Sequence, residues 1–148
     1  MAFRGLYEHS LDAKDRLTIP SKLRAQLAEG VVIAASLDPC IEIHPVSGFQ
    51  AYAAQVKAKL NPLGKDARML RRRINYQAQD EQVDSAGRVK IPKLLLEHGA
   101  LEGTCVIVGA DTHLEVWSPE RWAEQVAVMD AETDAIAEEL GEGDWVAD

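Results

Sequence analysis

Several features that would assign this protein to a class are missing from its sequence. No stretch of about 18 apolar residues occurs in the chain, so we expect no membrane-spanning helix. The N-terminal residues lack the apolar segment of a secretory signal, so we expect no export. The two cysteines, Cys40 and Cys105, lie in apolar strand-like runs, which favours buried free thiols in a reducing compartment over a disulfide. These absences predict a cytoplasmic protein with no membrane partner.

The sequence also lacks the motifs of common catalytic and cofactor sites. It contains no Gly-rich phosphate loop, no serine-nucleophile elbow and no metal-type spacing of Cys and His. Cys40 and His44 stand four residues apart, but no second pair joins them, so we expect no metal site. His9, His98 and His113 are scattered, and we interpret them as polar strand or loop residues. We therefore predict no enzymatic activity, no cofactor and no small-molecule substrate.

Basic residues are absent from the C-terminal segment, and this absence explains the net charge of −8. Residues 130–148 contain 8 acidic groups and no Lys or Arg, whereas residues 1–129 contain 16 acidic and 16 basic groups. The segment 130–148 is therefore predicted to be an acidic tail that frays or is disordered. The rest of the chain is neutral as a whole and can still carry a local basic face.

A motif that occurs twice organises what the sequence does contain. The first copy begins at Asp12 and reads DAKDRLTIPSKL, and the second begins at Asp84 and reads DSAGRVKIPKLL. Both copies fit the pattern D-x-x-x-R-x-x-I-P-x-x-L at an offset of 72 residues. A repeat of this kind indicates two equivalent supersecondary units within one chain.

Each copy of the motif predicts a strand, a tight turn, a second strand and a short helix. Asp12 and Asp84 are predicted to start the turns, and Gly87 supplies a position with positive φ. The residue before proline is pushed towards extended backbone, and proline is well suited to a first helical turn. Arg16 and Arg88 follow the turns, where a side chain can face solvent.

The flanking segments extend the two repeats. We predict that Arg16 to Ile19 forms a hairpin with a strand within Phe3 to Leu11, and that a helix over Ser21 to Ala28 stops at Gly30. In each repeat two strands and a helix follow, with Glu42 aligned with Glu115 and Phe49 aligned with Trp122 at an offset of 73. Further predicted elements are strands over 31–35 and 40–44, a helix capped by Ser47 that carries Phe49, Tyr52, Val56 and Leu60, a helix over 65–73, and a helix opened by Ser118 and Pro119.

This pattern divides the chain into four segments. Residues 1–60 form the first repeat, residues 61–76 a helical connector, residues 77–129 the second repeat and residues 130–148 the acidic tail.

With both copies in view, the chain resembles the MraZ family. The doubled motif carries most of the resemblance, together with Phe3-Arg4-Gly5 at the start, Ile41-Glu42-Ile43 in the first half and Leu114-Glu115-Val116-Trp117 in the second. The resemblance covers residues 1–129, nearly everything except the acidic tail.

The resemblance implies both a fold and a function. Members of that family have the AbrB-like swapped-hairpin fold. For this chain it implies an α+β architecture of two tandem β-barrel halves with flanking helices, related by a pseudo-twofold axis and assembling into a homo-oligomeric ring. Members are bacterial transcriptional regulators that bind direct repeats in the promoter of their own operon, the division and cell-wall gene cluster. The expected partner is double-stranded DNA, the expected outcome is repression, and the expected location is the cytoplasm, associated with the nucleoid.

The resemblance implicates the motif arginines, here Arg16 and Arg88, in contact with DNA. Other basic residues cluster around the motifs and are predicted to join this surface, namely Lys14, Lys22, Arg24, Lys90 and Lys93. The two arginines could also pair with Asp12 and Asp84 as structural residues, and the two roles are compatible.

Asp15 departs from the family pattern, because the family usually has glycine before the motif arginine, as at Gly87. Aspartate tolerates positive φ better than most residues, so the first turn is expected to survive at modest cost. The carboxylate of Asp15 next to Arg16 would oppose the approach of a phosphate. The two halves are therefore not expected to contribute equally.

Three other features have alternative interpretations. The run Arg71-Arg72-Arg73 either complements a helix C-terminus or forms a solvated face, or it contacts DNA or another subunit. Phe49 and Trp122 are predicted to be core residues rather than a platform for stacking bases. The acidic tail is either solvated or covers a basic face of the protein.

Two function classes fit the doubled β-rich chain. One is a sequence-specific DNA-binding regulator, and the other is a ring-forming scaffold or protein-interaction module without a DNA role. Basic groups at equivalent positions of the two repeats favour the first class.

Overall fold

The structure is a computed structural model that describes residues 2–141. This part of the chain is a mixed α+β structure in which antiparallel strands are flanked by helices. In chain order the elements are β1 (Leu6–Ser10), β2 (Arg16–Thr18), a 3₁₀ helix (Ser21–Leu27), β3 (Val31–Ala35), β4 (Ile41–Pro45), α1 (Val46–Ala58), α2 (Lys65–Asn75), β5 (Gln79–Glu81), β6 (Arg88–Lys90), α3 (Lys93–Gly99), β7 (Thr104–Gly109), β8 (Leu114–Trp117) and α4 (Pro119–Gly141). Within residues 2–141, none of these helices has the length and apolar character needed to cross a bilayer.

The strands form two sheets that join the two repeats. A six-stranded sheet has the order β1-β7-β8-β4-β3-β5, and β2 pairs with β6 in a separate two-stranded sheet. The pairs β1–β7, β4–β8 and β2–β6 each take one strand from each repeat, and all three are antiparallel. The strands of each repeat are therefore completed by strands of the other repeat.

The predicted hairpin between Arg16 to Ile19 and the N-terminal strand is wrong. β1 pairs with β7, with Leu6 opposite Val108, and β2 pairs with β6 instead. Burial accounts for the difference. Leu17 and Val89 lie directly opposite each other and are fully buried, whereas alternate residues of β1 remain exposed to solvent. Pairing β2 with β6 therefore buries an apolar side chain of each strand in the shared core.

One apolar cluster underlies both motifs. The leucine or valine after each motif arginine and the isoleucine before each motif proline are fully buried, and they pack with strand residues of both repeats. Each fully buried side chain of this kind contributes roughly 1.5–3 kcal/mol relative to an exposed one. The residues in question are Leu17, Ile19, Val89 and Ile91.

Helices α1, α2 and α4 cover further apolar surface of the six-stranded sheet. Phe49 of α1 packs with Val32 and with Ile74 of α2. Trp122 of α4 packs against Trp117, with the two ring centroids 5.6 Å apart. Phe49 is therefore a core residue, as the sequence predicts, whereas Trp122 is partly buried and packs against the buried Trp117.

Several helix boundaries differ from the prediction. Ser47 is not the cap of α1, because the helix already begins at Val46 with Pro45 at the N-cap position, and Leu60 lies beyond its end at Ala58. The first short helix is a 3₁₀ helix because its bonds span three residues, as from Leu23 N–H to Pro20 O at 2.9 Å.

The acidic segment does not fray where the structure describes it. Helix α4 continues to Gly141, so the expectation of disorder over 130–141 is wrong. Alanine and glutamate, both strong helix formers, dominate residues 131–140, and neither Gly nor Pro interrupts that stretch. Residues 142–148 lie outside the described residues.

Both cysteines are free and buried, as predicted. Burial raises the pKa of the Cys105 thiol to about 11 and also raises that of Cys40. Both thiols are therefore protonated near neutral pH and are poor nucleophiles.

Candidate nucleic-acid interface

Each motif aspartate organises the turn that follows it. Oδ1 of Asp12 accepts hydrogen bonds from the backbone N–H groups of Lys14 and Arg16, both at 2.9 Å. Oδ1 of Asp84 accepts the equivalent bonds from Ala86 and Arg88, also at 2.9 Å. A short polar side chain that bonds the backbone a few residues ahead holds a tight turn closed, and here it does so twice.

The same aspartates hold the motif arginines. Arg16 Nε donates to Asp12 Oδ2 at 2.7 Å, and Arg88 Nε donates to Asp84 Oδ2 at 3.1 Å. Arg88 Nη1 also lies 3.8 Å from Asp12 Oδ2, so it reaches the turn of the other repeat. The hydrogen bond from the Arg16 backbone, together with the bonds from Lys14 and the guanidinium, lowers the pKa of Asp12 to about 2. The corresponding bonds from Arg88 and Ala86 lower the pKa of Asp84.

Strands β2 and β6 form a short two-stranded ribbon directly after the turns. Arg16 lies opposite Lys90, and Thr18 lies opposite Arg88. Leu17 and Val89 are fully buried between them, so the alternate side chains point away from the core. This face, which we call the ribbon face, consists of Arg16, Thr18, Arg88 and Lys90.

The ribbon face presents cationic groups held in fixed positions. The side chains of Arg16 and Arg88 are 29% and 33% exposed, so their guanidinium groups are anchored through Nε but still accessible. Lys90 Nζ donates to Lys14 O at 2.7 Å, which joins the ribbon to the first turn. The arrangement can bind an anion with pre-oriented donors, because part of the side-chain entropy is already lost.

Known proteins similar to this chain were found by comparison of sequences. A family model described as "MraZ protein, putative antitoxin-like" matches residues 2–73 and 75–141. The chain belongs to the MraZ family. A protein of Roseiflexus castenholzii named "Transcriptional regulator MraZ" is 39% identical over 141 residues, covering 95% of this chain and 97% of its own. Relatives of the same name from Limosilactobacillus fermentum and Limosilactobacillus reuteri are 37% and 39% identical, covering 91% and 92% of this chain, and 94% and 95% of their own length. The predicted family is therefore confirmed.

The other predicted basic residues of this MraZ-family chain differ in how they are placed. Lys14 is exposed at the first turn, Lys22 is exposed on the 3₁₀ helix and Lys93 is exposed at the start of α3. Arg24 is folded back, because its Nε donates to Ile19 O at 2.8 Å. The ribbon face thus gathers Arg16, Arg88 and Lys90, with Lys14 beside it, whereas the bond to Ile19 O holds Arg24 against the second turn.

Arg24 also accounts for the glycine of the second turn. Gly87 has a φ of +80°, and a Cβ at this position would overlap Nε and Cζ of Arg24. Asp15, the equivalent residue in the first turn, has a φ of 58°. The residue equivalent to Arg24 in the second repeat is Leu96, which lines a shallow surface depression together with Asp15. The first turn therefore has room for a side chain that the second turn lacks.

The sequence interpretation missed a cluster of titratable residues elsewhere in the MraZ-family fold. His113 lies in the turn before β8, which agrees with the predicted loop role, but its ring also stacks on His44 with 4.6 Å between centroids, beside Glu42 and Glu115. One signal could have pointed to this cluster. The offset of 73 aligns Glu42 with Glu115, and strands at equivalent positions of two repeats can pair across a pseudo-twofold axis.

Proposed function

We propose that this chain is a sequence-specific DNA-binding transcriptional regulator that binds double-stranded DNA through the ribbon face. It acts on direct repeats in the promoter of its own operon, the bacterial division and cell-wall gene cluster, with repression as the outcome. The name carried by its relatives, transcriptional regulator, supports the regulatory role. The protein works in the cytoplasm in association with the nucleoid, and it is not an enzyme.

The observation that carries this proposal is the convergence of the two motif arginines. They lie 72 residues apart in sequence, yet both belong to one ribbon of two short strands. A two-stranded β-ribbon fits the major groove of B-DNA, where arginine can bond guanine bidentately or contact a phosphate. In each guanidinium Nε is held by an aspartate, which leaves the Nη groups as donors towards DNA.

Electrostatics favour a local contact over long-range attraction. The chain carries a net charge of −8, so its overall field repels DNA. Lys14, Arg16, Arg88 and Lys90 lie together at the ribbon, where Asp12 and Asp84 pair with the two arginines, whereas the acidic residues of α4 lie on a separate element. Binding by such a surface depends on fixed geometry, which is a condition for discriminating one sequence from another.

The contacts that one protomer makes are too few to give the affinity that regulation of a promoter requires. Two phosphate contacts by the motif arginines would give a salt slope of only about −1.8, and non-specific binding by such a surface has a Kd of roughly 10⁻⁴–10⁻⁶ M. Several protomers on spaced repeats raise avidity by roughly 10²–10⁴. We therefore include in the proposal a homo-oligomeric ring that engages several promoter repeats at once.

The strand exchange between repeats supports the AbrB-like part of the proposal. In a swapped-hairpin barrel, each half contributes strands that complete the other half, as the pairs β1–β7 and β2–β6 do here. We propose that the two halves form such a barrel, related by a pseudo-twofold axis that passes through the ribbon.

The test is fluorescence anisotropy of labelled DNA from the region upstream of the protein's own gene. Wild type should bind this DNA more tightly than a scrambled DNA at two salt concentrations, and an Arg16→Ala, Arg88→Ala double variant should lose that preference. Equal binding of both DNAs by wild type would reject sequence-specific regulation. An oligomer that forms but binds neither DNA would favour the scaffold function instead.

The ring is tested separately by deleting promoter repeats and measuring the particle mass in solution. Removal of one repeat should cost far more affinity than its share of contacts, and a change of spacing by half a helical turn should be as harmful. A monomeric particle, or full affinity for a single repeat, would reject multivalent binding.

A further inference from the structure

Two glutamates face each other across the junction of the two repeats. In the antiparallel pair of β4 and β8, Glu42 lies directly opposite Glu115. Their side chains are 14% and 19% exposed, so both carboxylates are largely withdrawn from water. Like charges directly opposite each other on a sheet repel, and burial increases that repulsion. The pair therefore needs a compensating positive charge.

One oxygen of each carboxylate is already held in place. Glu42 Oε1 lies 2.9 Å from His44 Nε2, and Glu115 Oε1 accepts a bond of 2.9 Å from Trp117 Nε1. His44 and Trp117 occupy equivalent positions of the two repeats, two residues after each glutamate. Both anchoring rings are almost completely buried. The second oxygen of each carboxylate is thereby directed to the space between the strands.

His113 completes the cluster from the turn just before β8. Its Nε2 lies 3.6 Å from Glu42 Oε2 and 3.7 Å from Glu115 Oε2. This nitrogen is buried, and none of the residues 2–141 forms a hydrogen bond with it. The other ring nitrogen, Nδ1, lies 3.0 Å from Thr112 Oγ1. The hydrogen bond at Nδ1 orients the ring and aims Nε2 between the carboxylates. The tautomer that carries its proton on Nδ1 is the form that can bind an ion through Nε2.

We propose that Glu42, His113 and Glu115 form a binding site for a divalent first-row transition-metal ion, for which Zn²⁺ is the best-suited probe. The ligands would be one oxygen from each glutamate and Nε2 from the histidine. The site combines ligands from both repeats of the chain.

The ligand atoms are close to the separations that such an ion requires. The three atoms lie within 4.8 Å of one another. Ligands placed roughly 2.0–2.2 Å from Zn²⁺ in a tetrahedron are separated by about 3.3–3.6 Å. The histidine-to-carboxylate separations are already near this range, so a small rotation of the two carboxylates closes the site.

The donor set also selects the class of ion. Two carboxylates neutralise a divalent cation, which removes the repulsion between the glutamates. An imidazole nitrogen favours zinc and its first-row neighbours over Mg²⁺ and Ca²⁺, which prefer oxygen ligands. Three protein ligands leave a fourth position for water or for a group from another molecule.

The position of the site predicts what the ion does. Glu42 belongs to β4 of the first repeat, whereas His113 and Glu115 belong to β8 and the turn before it in the second. A bound ion therefore cross-links the two halves of the chain and stabilises the paired state over any state in which β4 and β8 separate. The ribbon face is not part of this site, so the proposal does not depend on DNA binding.

The experiment uses the full chain without a histidine tag, freed of metal with a chelator. Zn²⁺ is titrated by calorimetry, and Tm is measured with and without the ion. We expect one ion per chain and a rise in Tm of roughly 5–10 °C when Zn²⁺ exceeds its Kd a hundredfold. Absence of binding would overturn the proposal and would leave a protonated His113 as the charge that compensates the glutamates.

Variants then locate the site. His113→Gln and Glu42→Gln should each weaken binding at least tenfold, while His98→Gln, which removes a histidine outside the cluster, should bind like wild type. Unchanged affinity in His113→Gln would overturn the assignment.

Because a core variant can fail to fold, a second measurement uses wild type alone. Visible absorption of Co²⁺ at the site should show the intense bands of a tetrahedral nitrogen-and-oxygen complex. A spectrum like that of aqueous Co²⁺ would reject the site.

Discussion

The two turns that precede the motif arginines are built by the same hydrogen bonds but meet different neighbours. Both adopt positive φ at the residue before the arginine, Asp15 in the first turn and Gly87 in the second. Arg24 lies against the second turn, and its counterpart over the first is Leu96. A repeated motif thus fixes the local backbone, whereas the side chains packed on it decide which residues each copy tolerates.

The ribbon face is also asymmetric, because the two motif arginines have different residues opposite them. Opposite Arg16 lies Lys90, a second cation, while opposite Arg88 lies the uncharged Thr18. Lys14 in the first turn corresponds to Ala86 in the second, so the first half carries more positive charge near its arginine. Asp15 offsets part of that excess. The difference between the halves can be measured with matched substitutions.

The largest expected effect comes from Arg88→Ala compared with Arg16→Ala. A hydrogen bond to a charged group is worth about 1.5–3 kcal/mol, so each substitution should weaken operator binding by roughly 10- to 100-fold. The loss should be larger for Arg88, because Lys90 lies directly opposite Arg16 and Lys14 belongs to its turn, whereas Arg88 lies opposite the uncharged Thr18. Anisotropy titrations measure this, with Lys59→Ala, an exposed cation on another surface, as the control. Wild-type affinity in either variant would show that the substituted arginine does not contribute to DNA binding.

Placing the first turn's residue in the second turn is the next strongest test. Gly87→Asp should lower the free energy of unfolding by roughly 1–3 kcal/mol, because the new Cβ displaces Arg24 from its bond to Ile19 O. Gly103→Asp is the matched control, since Gly103 has a φ of +65° and a Cβ added there would meet no atom within 4 Å.

Urea unfolding gives the free energy of unfolding of Gly87→Asp and of Gly103→Asp. The difference between the two values measures the effect of the contact with Arg24. Adding Arg24→Ala to Gly87→Asp should restore part of the loss. Equal destabilisation by Gly87→Asp and Gly103→Asp would mean that backbone strain alone explains the glycine.

Acid should affect the two turns unequally. A depressed pKa in the folded state means that the turn's contribution is complete above the ordinary aspartate pKa and is lost as pH falls through the folded value. For Asp12 this window runs from the ordinary pKa of 3.8 down to about 2. Unfolding curves between pH 5 and pH 2 should become less pH-dependent in Asp12→Asn, and by a smaller amount in Asp84→Asn. An unchanged pH dependence in Asp12→Asn would contradict the role of that carboxylate.

The reverse exchange, Asp15→Gly, should have a small effect on stability. Glycine relieves the positive φ but increases the entropy of the unfolded chain, so the net change should stay within about 1 kcal/mol. Operator affinity should rise by a few fold, because a negative charge near the phosphates is removed. A fall in affinity at unchanged Tm would argue against repulsion by Asp15.

The smallest effect is expected from removing the distal part of α4, which extends beyond the length of α1, its counterpart in the first repeat. Ile136 and Leu140 are 54% and 61% exposed, so little packing is lost from the described residues 130–141 when residues 130–148 are deleted. We expect a change in stability below about 1 kcal/mol, and a rise in non-specific DNA affinity at low salt if the acidic segment shields the ribbon face. A large drop in Tm would show that the distal part of α4 packs on the rest of the protein.

Local features of this chain could be predicted from sequence because they depend on residues a few positions apart. The aspartate-led turns, the strands after them and the pairing of β3 with β4 all fall in this class. The strand that pairs with β2 could not be predicted from sequence, because adjacency along the chain favours a local hairpin. The choice of β6 depends on the burial of Leu17 against Val89, which lie far apart in sequence.

The cluster at His113 was hidden for a related reason. His113 and Glu42 are separated by 71 positions in the chain and meet only because β4 pairs with β8. Composition also gave a wrong prediction for the distal part of α4. The acidic residues there indicated disorder, but the alanine and glutamate residues of the same stretch favour a helix.

The exchange of strands between repeats sets the order in which the chain can fold during synthesis. β3 and β4 can pair soon after they leave the ribosome, but β1 waits for β7, which lies nearly a hundred residues later. At an elongation rate of about 5–20 residues per second, the wait lasts roughly 5–20 s. During that interval the first half exposes an unpaired edge and part of its apolar surface, so it is most vulnerable to aggregation and to chaperone capture before the second half emerges.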